Sequence, residues 1–296
     1  KILFTLCCTL LGSQGFIRSK RVVNGFAAPL EAAAALVSLE SSFPNQNGVT
    51  LCGGTILAPR IVLTAAHCVF NEQTLTIASM VQVKVAFNRS SSDLRYTKAF
   101  LTNDILIHPQ YISWNFPAAY DLALVLLPQE KRLGLCDFVT SPQLARLPNR
   151  THSQLFVDLS KQKCYIVGWG MTERNTYSGV PLHADLIDVK ESISFHLNAE
   201  VIEAVGHGRQ RACFGDSGGP LVCEIDGIPY LVGVNSEIHS DFPIPSFLPL
   251  ESPQRCAYSR RLQAVDIRKQ IHTIESLLAS RGLLHTMKDA QSQCFH

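Results

Sequence analysis

Short apolar runs set the rhythm of this chain. They fall at 34–39, 55–57, 61–64, 80–87, 122–127, 164–167, 186–189, 220–223 and 230–234, separated by polar or Gly- and Pro-bearing connections. Runs this short read as strands, and many of them joined by turn-rich links predict an all-β barrel or sandwich. Near the end the period changes. Val265, Ile267, Ile271, Ile274, Leu277 and Leu278 recur at near-helical spacing with Gly282 as a stop, which predicts one closing α-helix. The same stripe could lie on a membrane surface, but packing against the body is the preferred reading. Residues 283–296 read as a tail, and no repeat of solenoid length is visible.

Composition narrows the class. The chain has 296 residues, 46% hydrophobic and 17% charged, which suits one large packed domain or two fused halves. The formal net charge is +2, with Lys and Arg scattered and no basic run, so nucleic acid is not an implied partner. At the start, Lys1 precedes an apolar run from Ile2 to Leu11, followed by the small residues Ser13 and Gly15. Residues 1–15 therefore read as a secretory signal and the protein as secreted and extracellular. The run is too short to span a bilayer and no later run is longer, so no stable membrane anchor is expected.

Secretion turns the ten cysteines into a disulfide question. Cys7 and Cys8 leave with the signal. The other eight show no close C-x-x-C pair with a matching second pair, so zinc is not implied. Asn88-Arg89-Ser90 and Asn149-Arg150-Thr151 are candidate glycosylation acceptors in polar stretches.

The densest chemistry lies at Gly215-Asp216-Ser217-Gly218-Gly219-Pro220, where glycines let the backbone fold tightly around one serine and turn amide N–H groups toward its oxygen. Serine is a weak nucleophile at neutral pH. Such a site needs a histidine to take its proton and a buried carboxylate to orient that histidine. Upstream, His67 lies in Leu63-Thr64-Ala65-Ala66-His67-Cys68 and Asp121 in Tyr120-Asp121-Leu122-Ala123-Leu124, each a polar residue in an apolar frame. A chance glycine-rich loop would account for the first motif and not for the other two.

In the order His, Asp, Ser, these three segments resemble the chymotrypsin/trypsin family of serine proteases, over a stretch from Val22 to about Leu278. The resemblance implies an all-β fold over 22–282, two six-stranded antiparallel β-barrels with a C-terminal α-helix. It places His67 and Asp121 on the first barrel and Ser217 on the second, across a cleft. It also implies the chemistry: Ser217 attacks a peptide carbonyl, His67 takes and returns the proton, Asp121 holds the imidazole, and the N–H groups of Gly215 and Ser217 bind the oxyanion.

The short basic segment 16–21 precedes Val22-Val23-Asn24-Gly25, which resembles the family's mature N-terminus. Cleavage after Arg21 would free the Val22 amine to pair with Asp216, so the chain reads as a zymogen. Arg18-x-Lys20-Arg21 also fits a furin-like site, and a generic basic segment cut by any trypsin-like protease is the alternative. The disulfides implied are Cys52 with Cys68, Cys164 with Cys223, Cys213 with Cys256, and Cys136 with Cys294. The family's calcium loop lacks carboxylates here, Glu72 standing alone, so no metal and no cofactor are implied. A protein or peptide substrate, an activating protease and a protein inhibitor are the partners such an enzyme implies.

Several residues depart from the family pattern. Arg211, six positions before Ser217, stands where trypsins carry an aspartate at the pocket base, so cleavage after Lys or Arg is not expected. Three readings stay open: Arg211 attracts an acidic substrate side chain, or it turns to solvent or to Glu237, or the pocket is blocked near Cys256. Ser236 either supports the aspartate or is a simple strand-end serine. Phe214 makes the pocket rim more apolar. Glu237-Ile238 replaces the usual Trp-Gly on the edge that binds substrate backbone. The segment 237–255 is long and rich in proline and apolar residues, fitting a recognition loop, a lid or a surface insertion. Two functions follow: a secreted serine endopeptidase of non-trypsin-like specificity, or a catalytically weak or inactive homologue that binds a partner through the same cleft.

Overall fold

The computed structural model describes residues 23–86, 96–113, 115, 118–129, 145–148, 157–174, 176–177, 180–193, 199–249 and 252–295. In the first half the strands are β1 (Phe26–Ala27), β2 (Leu36–Ser42), β3 (Thr50–Ala58), β4 (Ile61–Thr64), β5 (Phe70–Asn71), β6 (Thr76–Ile77), β7 (Met80–Ala86), β8 (Tyr96–Thr102), β9 (Asp104–Ile107) and β10 (Ala123–Leu126). In the second half they are β11 (Lys163–Gly168), β12 (Leu182–Ile193), β13 (Glu200–Gly206), β14 (Pro220–Ile225), β15 (Ile228–His239) and β16 (Arg261–Asp266). The helices are α1 (Leu30–Ala33), α2 (Pro109–Ser113), α3 (Pro253–Tyr258), α4 (Ile267–Ala279) and α5 (Leu284–Phe295).

Two antiparallel sheets carry the fold. The first runs β8-β7-β2-β3-β4-β10-β9. The second runs β1-β12-β11-β14-β15-β16-β13, and a further pairing of β12 with β13 closes six of its strands into a barrel, with β1 added outside. β7 shows why such segments become strands: Val81, Val83 and Val85 are fully buried while Gln82 and Lys84 face outward, the period of two that a half-buried sheet requires. Between β14 and β15, Asp226 and Gly227 both have positive φ, 53° and 75°, the two-residue turn whose twist matches the flanking strands.

Register sets up the site. β4 and β10 pair with Thr64 opposite Ala123, so the residues leaving β4 and those entering β10 meet at one end of the sheet. These are the His67 and Asp121 segments. β14 pairs with β15 with Pro220 opposite Val234, which lays the loop before β14 beside Asn235 and Ser236.

The expected helix is α4, whose Ile267, Ile271, Ile274 and Leu278 are buried, with Asp266 as N-cap accepting from Arg268 N–H at 3.0 Å. Val265, placed by the sequence pattern at the start of this stripe, belongs to β16 instead. The stretch read as a tail carries α5. Met287 and Ala290 join the first core, and Gln291 donates to the carbonyls of Leu57 and Ala145 and accepts from Leu147 N–H. Of the expected disulfides, Cys52–Cys68, Cys164–Cys223 and Cys213–Cys256 are formed. Cys294 is also disulfide-bonded. Its expected partner Cys136 lies outside the described residues, as do Arg21, Val22, Asn88 and Asn149.

Candidate active site

His67 sits in a single 3₁₀ turn, Ala66–Cys68, between two fully buried residues, with Cys68 tied to Cys52 on β3. The turn is therefore held from both sides. Asp121, 2% exposed, accepts from the His67 backbone N–H at 2.9 Å with one oxygen. Its other oxygen lies 2.6 Å from His67 Nδ1 and accepts from Ser236 Oγ at 2.5 Å. A carboxylate accepts only, so Nδ1 carries a proton and Nε2 is left to act as a base. Burial opposes the charged imidazole, but the Asp121 carboxylate, with Glu72 and Glu237 behind it, outweighs that cost and raises the His67 pKa. Burial likewise works against the Asp121 charge; His67 and the Ser236 hydroxyl overcome it, and the carboxyl stays below its ordinary range.

The loop around Ser217 is clamped by backbone from both sheets. Gly53 N–H of β3 donates to Ser217 O at 2.7 Å, Gly218 N–H to Asn235 O at 2.7 Å, and Asn235 N–H to Gly219 O at 2.9 Å. Asn235 Nδ2 also donates to Asp216 O at 3.2 Å. Gly218 has φ +75°, and a Cβ there would stand 2.2 Å from Thr64 Oγ1 and 2.5 Å from Gly53 O. Only glycine fits that approach. The N–H groups of Gly215 and Ser217 find no acceptor among the described residues, which leaves two free donors beside the serine. No hydrogen bond joins Ser217 to His67 among the described contacts; the two line one cavity, and such bonds often tighten only when substrate binds.

Asp216 is 1% exposed and accepts from the N–H groups of Gly170 and Cys213, each at 2.9 Å. Burial pushes its pKa up to about 7, the two donors offsetting this only in part. Val23, next to the expected new terminus, is buried in one cluster with Cys213, Met171 and Cys256, and its carbonyl accepts from Arg211 N–H at 3.0 Å.

The cavity beside Ser217 measures about 380 Å³ and has a mainly apolar wall that includes Phe214, Ile238 and Leu262. It is open. Arg211 does not enter it: the side chain is 8% exposed and its Nη1 donates to the carbonyls of Gly206 at 3.1 Å and Gln210 at 2.6 Å. It lines a separate small cavity behind the wall, beside Arg260 and Arg261. Burial and then the Arg260 charge lower its pKa. This corrects the reading of Arg211 as the floor of the substrate pocket, and equally its turning to solvent or to Glu237, which lies 3.1 Å from His239 instead. Backbone carbonyls of β13 and its exit reach the guanidinium where the pocket does not. Cys256 is fully buried in its disulfide and does not line the cavity, which of the pair only its partner Cys213 reaches. Ser236, Glu237 and Ile238 do line it.

A second cavity of about 420 Å³ opens on the other side of His67, lined by Glu72, Tyr111, Asp121, Ser236 and Glu237 among others. Cys52, His67 and Cys68 bring ligand-type atoms within 4.8 Å of one another, but both sulfurs are spent in the disulfide.

Some supports were not read from the sequence. Thr64 Oγ1 donates to Gly53 O at 2.8 Å, pinning the two strands that meet the Ser217 loop. His108, 1% exposed, stacks on Tyr120 at 5.0 Å, accepts at Nδ1 from Gln110 N–H and faces Gln270 Oε1 at 3.0 Å. That fixes its Nε2–H tautomer and ties α4 to the segment holding Asp121. Nothing local in the sequence marks the second contact, because His108 and Gln270 lie 162 residues apart.

The family model described as Trypsin matches residues 22–243. Chymotrypsin-like elastase family member 1 of Rattus norvegicus is 32% identical over 229 residues, spanning 74% of this chain and 80% of the rat protein. Its Homo sapiens counterpart is also 32% identical, spanning 74% of this chain and 82% of the human protein. The solved structure of HL collagenase superposes with a TM-score of 0.60 at 22% identity, covering 86% of this chain and 97% of that one, a likeness of fold.

Proposed function

Because the chain belongs to the trypsin family of serine proteases and is a serine endopeptidase, we propose that His67, Asp121 and Ser217 are its catalytic triad and that it is made as a zymogen. The observation that carries this is the Ser236–Asp121–His67 hydrogen-bond chain ending at the cavity that Ser217 lines. His67 Nε2 takes the Ser217 proton as Oγ attacks the peptide carbonyl, and then protonates the departing amine. Water repeats the sequence on the acyl-enzyme and frees Ser217. The unused N–H groups of Gly215 and Ser217 receive the oxyanion, a contribution on the order of 3 kcal/mol per donor.

Activation follows from Asp216. A carboxyl buried with no cation beside it among the described residues, its pKa pushed up to about 7, favours any rearrangement that supplies one. Cleavage after Arg21 would create the Val22 ammonium beside Val23, which already packs against Cys213. The apolar wall of the cavity at Ser217 favours an uncharged, apolar residue before the scissile bond, and Arg211 has no part in that choice. Secretion through residues 1–15, glycans at Asn88 and Asn149, and partners in the form of an activating protease and a protein inhibitor complete the proposal. Among the described residues no helix is long and apolar enough to cross a membrane.

The test is to cleave the purified chain after Arg21 and titrate it with a fluorophosphonate beside a Ser217→Ala control. Stoichiometric labelling that appears only after cleavage and is lost in the control is the expected result. A correctly cut, folded chain that takes no label would favour a non-catalytic binding protein.

A further inference from the structure

The two cavities meet at the base. His67, Ser236 and Glu237 line both, so a peptide that places one side chain in the apolar cavity must pass the wall they share. In an extended peptide successive side chains point to opposite sides. The neighbour on the acyl side of the scissile bond therefore faces the second cavity. We propose that Glu237 makes this protease select a lysine or arginine side chain at the residue immediately before the one held in the apolar cavity.

The charge of that second cavity is one-sided. Glu237, on the shared wall, and Glu72 and Asp121 all line it, while no Lys or Arg does among the described residues. The titratable bases in reach are His67, already held by Asp121, and His239 on the strand of Glu237. The Tyr111 hydroxyl donates to Glu72 and so fixes its carboxylate. Tyr111 itself is 1% exposed and meets Phe70 edge-on at 6.4 Å, so it is held firmly beneath the cavity where it anchors Glu72, and the carboxylates are what a basic head would meet. Glu237 is 40% exposed, so it can exchange His239 for a substrate cation without being unburied.

The inference rests on the triad proposed above, and its test separates the two. An aliquot of chain cleaved after Arg21 is titrated with fluorophosphonate to count active sites, and unlabelled enzyme from the same preparation is given matched peptides with one apolar residue at the cleaved bond and Lys, Gln or Glu just before it. In the wild type kcat/KM should favour Lys over Glu by at least about tenfold, and the ratio should shrink in salt high enough to screen partly exposed charges. Glu237→Gln should lower the ratio several-fold, Glu72→Gln by less, and the pair together should bring it close to one. Equal rates for the three peptides in enzyme whose titrated aliquot labels fully, or a ratio that Glu237→Gln leaves unchanged, overturns the inference and leaves the catalytic reading intact. Absence of labelling overturns the catalytic reading and this inference with it.

Discussion

Ser236 looks minor and carries a large share of the geometry at the base. Its hydroxyl donates at 2.5 Å to the same Asp121 oxygen that faces His67, so it both anchors the carboxylate and draws off part of its charge. A hydrogen bond to a charged group is worth about 1.5–3 kcal/mol. Ser236→Ala should therefore lower kcat/KM by about tenfold or more, chiefly through kcat. The pH profile gives a readout that simple loosening would not. With Ser236 gone the carboxylate holds the imidazolium more strongly, and catalysis needs the neutral imidazole, so the acid limb should move to higher pH. An acid limb that stays in place while kcat falls would mean that Ser236 only packs.

At the scale of elements, α4 serves both halves. Its apolar stripe enters the first core, while Arg268 binds Asp266 at 2.7 Å, Glu191 at 2.8 Å and the Val157 carbonyl at 3.1 Å on the second-barrel side. Gln270 adds the tie to His108. Gln270→Leu would leave the buried His108 Nε2–H without its acceptor and should cost about 1–3 kcal/mol, seen as a lower midpoint in urea unfolding with an unchanged slope. An unaltered midpoint would mean that water or another group satisfies His108. Elements also divide what could be read in advance. The His67, Asp121 and Ser217 motifs were legible because each is a short contiguous segment whose apolar frame is local. The α4 stripe was legible for the same reason. α5 was not: its buried face is narrow, with Met287 and Ala290 at its centre, and reads as polar chain until β3 is set against it. The direction of Arg211 was hidden too, since it depends on where the Gly206 carbonyl falls in the closed barrel.

In the whole molecule, the two halves touch at the nucleophile through bare backbone. A Cβ on Gly53 would lie 2.9 Å from Gly219 Cα and 3.0 Å from its nitrogen, at the strand that also holds Ser217 O. Gly53→Ala should leave both sheets folded yet push the Ser217 loop away from His67. A displacement near 1 Å can cost on the order of a hundredfold in rate. Slower fluorophosphonate labelling by that order, with an unchanged far-UV spectrum, is the expected result, and wild-type labelling would show that the seam yields freely. The core of the first half has another dependence. Val37, Ile56 and Val62 share one buried cluster with Ile271, Leu278, Met287 and Ala290. On the ribosome, which delivers the chain from its N-terminus, the second barrel has all its strands once Asp266 has emerged. The half translated first must wait for residues near 290, so the part that carries His67 and Asp121 is the earliest to be made and the last to be completed.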